Sequence, residues 1–153
     1  MITNERQFEE DIESFLLTEE GGYTKTTDTY DPAAGLYTNT LISFIQATQP
    51  KEWARFVNTC NSDPVRKFCV AFNNACDTDG LISVLRHGFK HRGITFRVCY
   101  FKPESHLNKT ATALYEQNVC NVVRQWHYSA ENKKSVDMVL VVNGIPVFAL
   151  ELK

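Results

Sequence analysis

The segment from Val136 to Lys153 constrains the fold more than any other part of the chain. Val136–Val142 is rich in β-branched residues, Asn143-Gly144 follows it, and Val147–Lys153 begins as another apolar run. An Asn-Gly pair between two apolar runs is the strongest short-range hairpin signal, because both turn residues must take positive φ. The sequence therefore predicts an antiparallel hairpin in this segment.

Acidic residues interrupt this hairpin near its open end. Asp137 lies near the start of the first strand, and the second strand ends as Glu151-Leu152-Lys153. Alternation along a strand puts Glu151 and Lys153 on one face and Leu152 on the other. Counting outward from the turn places Asp137 across from about residue 150. We therefore expect Asp137 and Glu151 to lie side by side.

Two neighbouring carboxylates repel each other unless a cation lies between them. Oxygen ligands favour Mg²⁺, and the ammonium of Lys153 can then orient or help deprotonate a water, or stabilise charge on a scissile phosphate. The alternative is a salt bridge between Lys153 and one of the acids at the strand ends. On spacing alone the salt bridge is the more common outcome.

Hydrophobic periodicity predicts the remaining helices and strands. The predicted elements are a helix at about 4–18, an apolar run at 41–45 that fits a helix or a strand, a helix beginning at Pro50, an apolar stretch at 65–72, a short helix at 81–85 closed by Gly88 and a strand at 95–101. Residues 108–128 fit either a helical stripe or a strand face, and we favour a helix to about 117 followed by a strand at about 119–129. The last of these joins the hairpin in a three-strand meander. Trp53 and Trp126 are predicted to be core residues rather than base-stacking platforms.

The net charge of −2 is an average over unlike segments. Residues 1–31 carry a net charge of −7, whereas residues 51–134 carry +6. Most of the positive excess lies between Arg86 and Lys109, where basic and aromatic side chains are interleaved. Such a block is typical of a phosphate-facing surface, and a solvated loop explains it equally well.

Five cysteines, an odd number without a CxxC pair, argue against a zinc knuckle. They predict free, mostly buried thiols in a reducing cytoplasm. No run approaches the ~18 apolar residues of a membrane helix. The polar and then acidic N-terminus has no apolar signal core. We therefore expect a cytoplasmic protein with no membrane partner.

The spacing of Asp137 and Glu151-x-Lys153 across a hairpin resembles the PD-(D/E)xK nuclease core, with Val136 in the place of proline. The surrounding stretches are more specific than this motif. They are Phe8-Glu9, Gly22-Tyr23, Thr48-Gln49-Pro50 with Trp53, Leu85-Arg86-His87-Gly88-Phe89-Lys90, Tyr100-Phe101-Lys102-Pro103, Leu114-Tyr115 with Asn118, Arg124-Gln125 with His127-Tyr128-Ser129, and Asn143-Gly144-Ile145-Pro146. From about residue 8 to the last residue, the chain resembles the N-terminal nuclease domain of the restriction (R, or HsdR) subunit of type I restriction–modification enzymes.

The resemblance implies an α/β fold of the restriction-endonuclease type, with a mixed central sheet flanked by helices. It implies one nuclease domain over residues 1–153, incomplete at its C-terminal end, because the family continues with a Gln-x-x-x-Tyr helix, further strands and motor domains. By the same resemblance the activity is metal-dependent hydrolysis of double-stranded DNA. Asp137 and Glu151 would hold Mg²⁺, Lys153 would be the catalytic lysine, and Glu9 would be a further metal ligand.

The resemblance also suggests which residues and partners serve DNA binding. The candidate DNA contacts are Arg86, His87, Lys90, Lys102, Arg124 and Gln125. The implied partners are double-stranded DNA and the methyltransferase (M) and specificity (S) subunits. ATP is assigned to the motor domains of the parent protein, since residues 1–153 contain no P-loop pattern. The isolated chain is expected to cut DNA weakly or not at all, and the alternative function is a non-catalytic module that holds DNA or docks subunits.

Overall fold

The computed structural model describes residues 3–153, which form an α/β arrangement of helices and antiparallel strands. The helices are α1 (Thr3–Leu16), α2 (Thr38–Thr48), α3 (Pro50–Thr59), α4 (Pro64–Asp79), α5 (Leu81–His87) and α6 (Lys109–Glu116), and the strands are β1 (Phe89–His91), β2 (Ile94–Phe96), β3 (Cys120–His127), β4 (Ser135–Val142) and β5 (Ile145–Leu150). The predicted α/β class is confirmed. Among these helices, none has the length and apolar character that crossing a membrane requires.

The chain divides into two compact units. The terminal unit contains the residues up to Tyr37 together with Val119–Lys153, and the central unit is Thr38–Asn118. The terminal unit holds α1 and β3–β5, while the central unit holds α2–α6, β1 and β2. Whether residues 1–153 act as the single domain that the sequence predicts stays a prediction.

The sheet of the terminal unit is the predicted meander, in the order β3-β4-β5. Its β4–β5 ladder shifts register between Leu140 and Val141, so that Leu140 pairs with Phe148 but Val141 pairs with Pro146. Proline has no amide hydrogen to donate, and strand prolines are found at such bulges. All strand pairs are antiparallel within residues 3–153, and an isolated bridge from Thr24 to Asn121 on β3 is parallel. The mixed character predicted for the sheet is limited to that bridge.

The hairpin turn has the backbone that its sequence predicts. Asn143 and Gly144 have φ of 51° and 80°, and the Asn143 side chain is fully buried. The side-chain Oδ1 of Asn143 accepts a hydrogen bond of 2.7 Å from the main-chain amide of Val119. The main-chain amide of Asn143 donates a second bond of 2.7 Å to the Val119 carbonyl. The turn is therefore tied to the start of β3, which fixes the open end of the hairpin at the far end of the sheet.

Each unit has its own aromatic core. In the terminal unit, Tyr30 packs edge-on against Trp126, with ring centroids 5.1 Å apart, beside buried Val139 and Val141. In the central unit the contacting rings are Trp53, Phe56, Phe68, Phe89 and Phe96. Such pairs contribute roughly 0.5–1.5 kcal/mol each beyond their area burial. Trp53 and Trp126 are half-buried and pack against these aromatic clusters, so the prediction that both are core residues holds only in part.

The predicted strand at 95–101 is wrong beyond its first residues, because β2 ends at Phe96. The following backbone is bonded by side-chain amides instead of a neighbouring strand. Gln49 is buried, and its amide nitrogen donates to the carbonyl of Arg97 while its Oε1 accepts from the Arg97 amide, both at 2.7 Å. Asn118 makes the corresponding two bonds to Tyr100. The apolar run at 41–45, left open by the sequence, lies in helix α2.

Candidate active site

Asp137 lies beside the end of β5, where the sequence predicts it. The β4–β5 ladder ends with Met138 opposite Leu150, so the next position outward sets Asp137 opposite Glu151. The main-chain amide of Leu152 donates a hydrogen bond of 2.7 Å to Oδ2 of Asp137. This bond continues the pairing of the two strands by one step and orients one oxygen of the carboxylate.

The predicted strand to Lys153 ends earlier, because β5 stops at Leu150 and Glu151-Leu152-Lys153 follow it. Continuing the register by one position still gives Asp137 and Glu151 the same face of the sheet. Asp137 shares its side of β4 with Val139 and Val141, which pack in the aromatic core. Glu151 and Lys153 are exposed, whereas Leu152 is half-buried. No ion pair joins Lys153 to Asp137 or Glu151 in the part of the chain that the structure describes. The salt-bridge alternative is therefore not formed.

Lys153 reaches the side of α1. A cavity of about 340 Å³ is lined by residues of α1 (Asn4, Glu5 and Phe8) and by Leu152 and Lys153. Exposed Phe8 and half-buried Leu152 supply its apolar wall. The cationic side chain thus lies at an open, partly apolar recess, two residues beyond Glu151.

Glu9, on α1, is buried with only 2% of its surface exposed. Its Oε1 accepts a hydrogen bond of 2.7 Å from Nε of Arg124 on β3. The side-chain amide of Gln125 lies 3.3 Å from Oε2 and 3.4 Å from Oε1. A buried carboxylate needs such partners, since an unpaired one is strongly destabilising. The carboxylate of Glu9 is therefore held by α1–β3 contacts.

Arg124 is surrounded by acidic side chains of α1. Besides Glu9, its guanidinium lies 3.7 Å from Glu13 and 3.9 Å from Glu10. The hydrogen bond to Glu9 raises the pKa of Arg124 above its ordinary value, and the charges of Glu9, Glu13 and Glu10 act in the same direction against partial burial. Arg124 thus offsets part of the negative charge of α1 and links the helix to the sheet.

Gln125 occupies a strained position in the middle of β3. Arg124 pairs with Met138 and Trp126 with Val136, so Gln125 stands opposite Asp137, yet that one pair is missing from the ladder. Its φ is 49°, in the left-handed region that few non-glycine residues adopt. The side chain reaches Glu9 through its nitrogen and accepts from the hydroxyl of Ser135 through Oε1 at 3.2 Å. Strain of this kind is characteristic of functional sites.

The residues present fit a Mg²⁺ ion held by two carboxylates. Magnesium is commonly bound through one or two carboxylates, with waters and substrate phosphates completing its shell. Asp137 in β4 and Glu151, the first residue after β5, stand opposite each other and supply two such carboxylates. Over residues 3–153 there is no group of three or more His, Cys, Asp or Glu side chains placed to hold a metal ion. Glu9 contacts Arg124 and Gln125 instead, and its role as a third ligand stays a prediction.

The predicted DNA contacts fall into two sets. Arg124 and Gln125 belong to the terminal unit and contact Glu9. The other four belong to the central unit, where all are exposed: Arg86 and His87 end α5, Lys90 is in β1, and Lys102 follows β2. The four exposed residues are free to contact phosphate, and DNA binding by any of the six stays a prediction.

Two features of this site have no recognisable signal in the sequence. One is the Leu152 amide, a main-chain group that no residue type announces. The other is the left-handed backbone of Gln125, since glutamine carries no preference for it. The nearest sequence signal for this part of the site is the pair Arg124-Gln125. It does not indicate which residues these two side chains contact.

An α/β unit whose hairpin carries an acid on one strand, with acid-x-Lys directly after the next, is compatible with a nuclease-like domain. Residues 3–153 match the family model described as type I restriction enzyme R protein N terminus, and the chain belongs to that family. It is thus the N-terminal part of a type I restriction enzyme R subunit. No curated protein and no solved structure matches the chain.

Proposed function

We propose that this chain is a metal-dependent endonuclease domain that hydrolyses phosphodiesters of double-stranded DNA. The observation that carries the proposal is the hydrogen bond from the Leu152 amide to Asp137, in a register that sets Asp137 opposite Glu151. It supports Asp137 and Glu151 as a pair of metal-binding carboxylates, with Lys153 two residues beyond Glu151. Membership of the restriction-subunit family supplies the substrate class.

In this proposal the residues of the chain have separate roles. Asp137 and Glu151 hold Mg²⁺, and Asp137 is oriented by the Leu152 amide. Lys153 orients the attacking water or neutralises charge on the scissile phosphate. Glu9, with Arg124 and Gln125, supports the strand position opposite Asp137. When bound, Mg²⁺ would supply Lewis-acid stabilisation of the charge that develops on phosphate oxygens.

The partners follow from the proposed activity. In the complete R subunit, cleavage would be coupled to ATP-driven translocation by the motor domains. The R subunit would act on DNA together with the M and S subunits, in the cytoplasm. Arg86, His87, Lys90 and Lys102, all exposed on the central unit, are proposed to contact DNA phosphates.

The metal site is tested by calorimetric titration of Mg²⁺ into the chain, with Glu151→Ala as the variant. We expect one saturable site whose affinity falls at least ~10-fold in Glu151→Ala, because one of two charged oxygen donors is lost. Glu131→Ala is the matched control, since Glu131 is exposed in the loop between β3 and β4. Equal affinity in the wild type and Glu151→Ala would remove Glu151 from the site.

The competing function is a nuclease-like module that holds DNA or docks subunits without cutting. The observation that favours it is the engagement of Glu9 by Arg124, with no group of three possible metal-binding side chains in residues 3–153. Cleavage of supercoiled plasmid by the complete R subunit, assembled with M and S, separates the two. A Glu151→Ala subunit that still translocates and still cuts would favour the non-catalytic role of this domain.

A further inference from the structure

A second concave site lies in the central unit, where no residue of the candidate active site is found. It is a cavity of about 330 Å³ between the end of α3, the first turns of α4 and the β1–β2 turn. The lining residues include Arg66, Lys67, His91 and Arg92. A volume of this size is at the lower end of the ~300–1,000 Å³ typical of small-ligand sites.

The charge of this cavity has one sign. Its ionisable lining comprises two arginines, a lysine, a histidine and the thiol of Cys60, and no aspartate or glutamate lines it. The nearest acid in the contacts of this region is Asp63, whose carboxylate lies 3.5 Å from Nε of Arg66. Asp63 also caps α4 by accepting from the Arg66 amide, so its charge is shared between two donors. A net positive charge therefore remains in the cavity.

Two of the lining side chains, those of Arg92 and His91, contact other residues of the central unit. Arg92 has φ of 50° in the β1–β2 turn, and its guanidinium donates to the carbonyl of Thr59 at 3.4 Å. The ring of His91 packs against buried Phe56, with centroids 5.8 Å apart. Groups fixed before a ligand arrives lose less conformational entropy on binding than free side chains do.

The floor of the cavity is apolar, and its rim carries amides. Ala71 is buried and Val70 half-exposed, while Asn61 and Asn74 add hydrogen-bonding groups. Arginine forks and lysine ammonium groups suit phosphate oxygens, and an apolar floor suits the sugar or base attached to them. A bare inorganic anion would leave that floor unused.

We propose that this cavity binds the phosphate of a nucleotide unit, with Arg66 and Arg92 as the principal contacts. The site goes beyond the proposed hydrolysis, which gives none of these residues a role. The nucleotide unit has two possible sources, a DNA strand and a free mononucleotide. Both present the same phosphate chemistry, and they differ in how the binding depends on salt.

The proposal is tested on the whole chain with the double variant Arg66→Glu/Arg92→Glu. Binding of a fluorescein-labelled 16-mer, single-stranded and duplex, is followed by anisotropy in EDTA, and binding of AMP is followed by calorimetry. EDTA removes the divalent metal that the proposed hydrolysis requires, so failure of that hydrolysis leaves this result untouched. Lys51→Glu/Arg55→Glu on α3 is the control with the same change of charge, because Lys51 and Arg55 are exposed and do not line the cavity.

We expect the cavity variant to bind its ligand at least ~10-fold more weakly than the α3 control does. Loss on the oligonucleotides, with a shallower salt slope, assigns the site to a DNA strand. Loss on AMP alone assigns it to a free nucleotide. Equal weakening in both double variants would overturn the proposal, because the effect would then be one of net charge. Unchanged binding of every probe would overturn it as well. Equal thermal melting of the two variants checks that both are folded.

Discussion

The amide of Leu152 and the carboxylate of Asp137 are joined by a hydrogen bond of 2.7 Å across the open end of the β4–β5 hairpin. Asp137 therefore has two separable properties: its Oδ2 accepts this bond, and its charge is the one that the proposed function assigns to Mg²⁺ binding. An asparagine retains the acceptor and removes the charge. An alanine removes both.

This separation predicts different outcomes for two substitutions of Asp137. In the complete R subunit, Asp137→Asn and Asp137→Ala should both abolish DNA cleavage while leaving ATP-driven translocation intact. Only Asp137→Ala should lower the free energy of unfolding of the chain, by about 1 kcal/mol, because the Leu152 amide loses its acceptor. Urea unfolding and plasmid cleavage measure the two effects. Retained cutting by Asp137→Asn would show that the charge of Asp137 is not needed.

The Glu9–Arg124 pair predicts an asymmetric effect on stability. Arg124→Met should lower the free energy of unfolding by about 3 kcal/mol, because it leaves the carboxylate of Glu9 buried beside Gln125 alone. Replacing both residues, as Glu9→Met/Arg124→Met, should recover most of that loss, because no unpaired charge is then left in the interior. Urea unfolding of the two single variants and the double variant gives the coupling energy.

The control for this cycle is the Arg6–Glu10 pair on the same helix. Nε of Arg6 lies 3.0 Å from Oε1 of Glu10, but the two side chains are 66% and 37% exposed. An exposed pair four residues apart contributes only about 0.3–0.5 kcal/mol, so Arg6→Met should have little effect. If the double variant at Glu9 and Arg124 is as unstable as Arg124→Met, the loss comes from packing and not from the stranded charge.

The parts of the fold that sequence predicted well are those determined within a few residues. The Asn143-Gly144 turn sets its own backbone, and it therefore fixed the hairpin and the position of Asp137 relative to Glu151. Pro50 likewise marks the first turn of α3 as predicted. In each case the deciding interaction is local, and it can be recognised from residue types alone.

The errors arose where a distant residue decides the structure. Alternation at 95–101 correctly indicates that Phe96 and Val98 are buried, but the partner of Arg97 is Gln49, 48 positions earlier, rather than a strand. Gln125 likewise contacts Glu9 at a separation of 116 residues. Periodicity reports which way a side chain points and not which group it meets. The cavity at Arg66 and Arg92 was missed for the same reason, since its cations come from separate elements.

Cys76 gives a prediction about pH. Burial, reinforced by the charge of Asp77, raises the pKa of its thiol from about 9 to about 11. A raised thiol pKa favours the protonated form in the folded state. The contribution of the protonated Cys76 thiol to folding stability is therefore present below pH 9 and is lost as the pH rises toward 11. At pH 8 the thiolate fraction of Cys76 is ~100-fold lower than in the unfolded chain.

Alkylation by iodoacetamide measures this directly, because only the thiolate reacts. Mass-spectrometric mapping at pH 8 should show Cys76 reacting far more slowly in the native chain than in 8 M urea, and the native rate should rise about tenfold for each pH unit up to pH 10. The same residue in urea is its own control. A native rate equal to the rate in urea would mean that the Cys76 thiol is neither shielded nor shifted.

The left-handed backbone of Gln125 predicts the order of stability of substitutions at that position. With φ of 49°, a β-branched side chain is strained, so Gln125→Val should lower the free energy of unfolding by about 2–3 kcal/mol. Gln125→Gly relieves the backbone but loses the contacts to Glu9, and we expect it to fall within about 1 kcal/mol of the wild type. His127→Val, at an exposed position of the same strand outside the left-handed region, controls for β-branching and should be nearly neutral.

Urea unfolding ranks the three variants. If Gln125→Val is as stable as His127→Val, the strand is not strained opposite Asp137. If Gln125→Val is strongly destabilising, DNA cleavage by a complete R subunit that carries Gln125→Gly tests a further point. It shows whether the side-chain contacts of Gln125, and not only its backbone, support the candidate active site around Asp137.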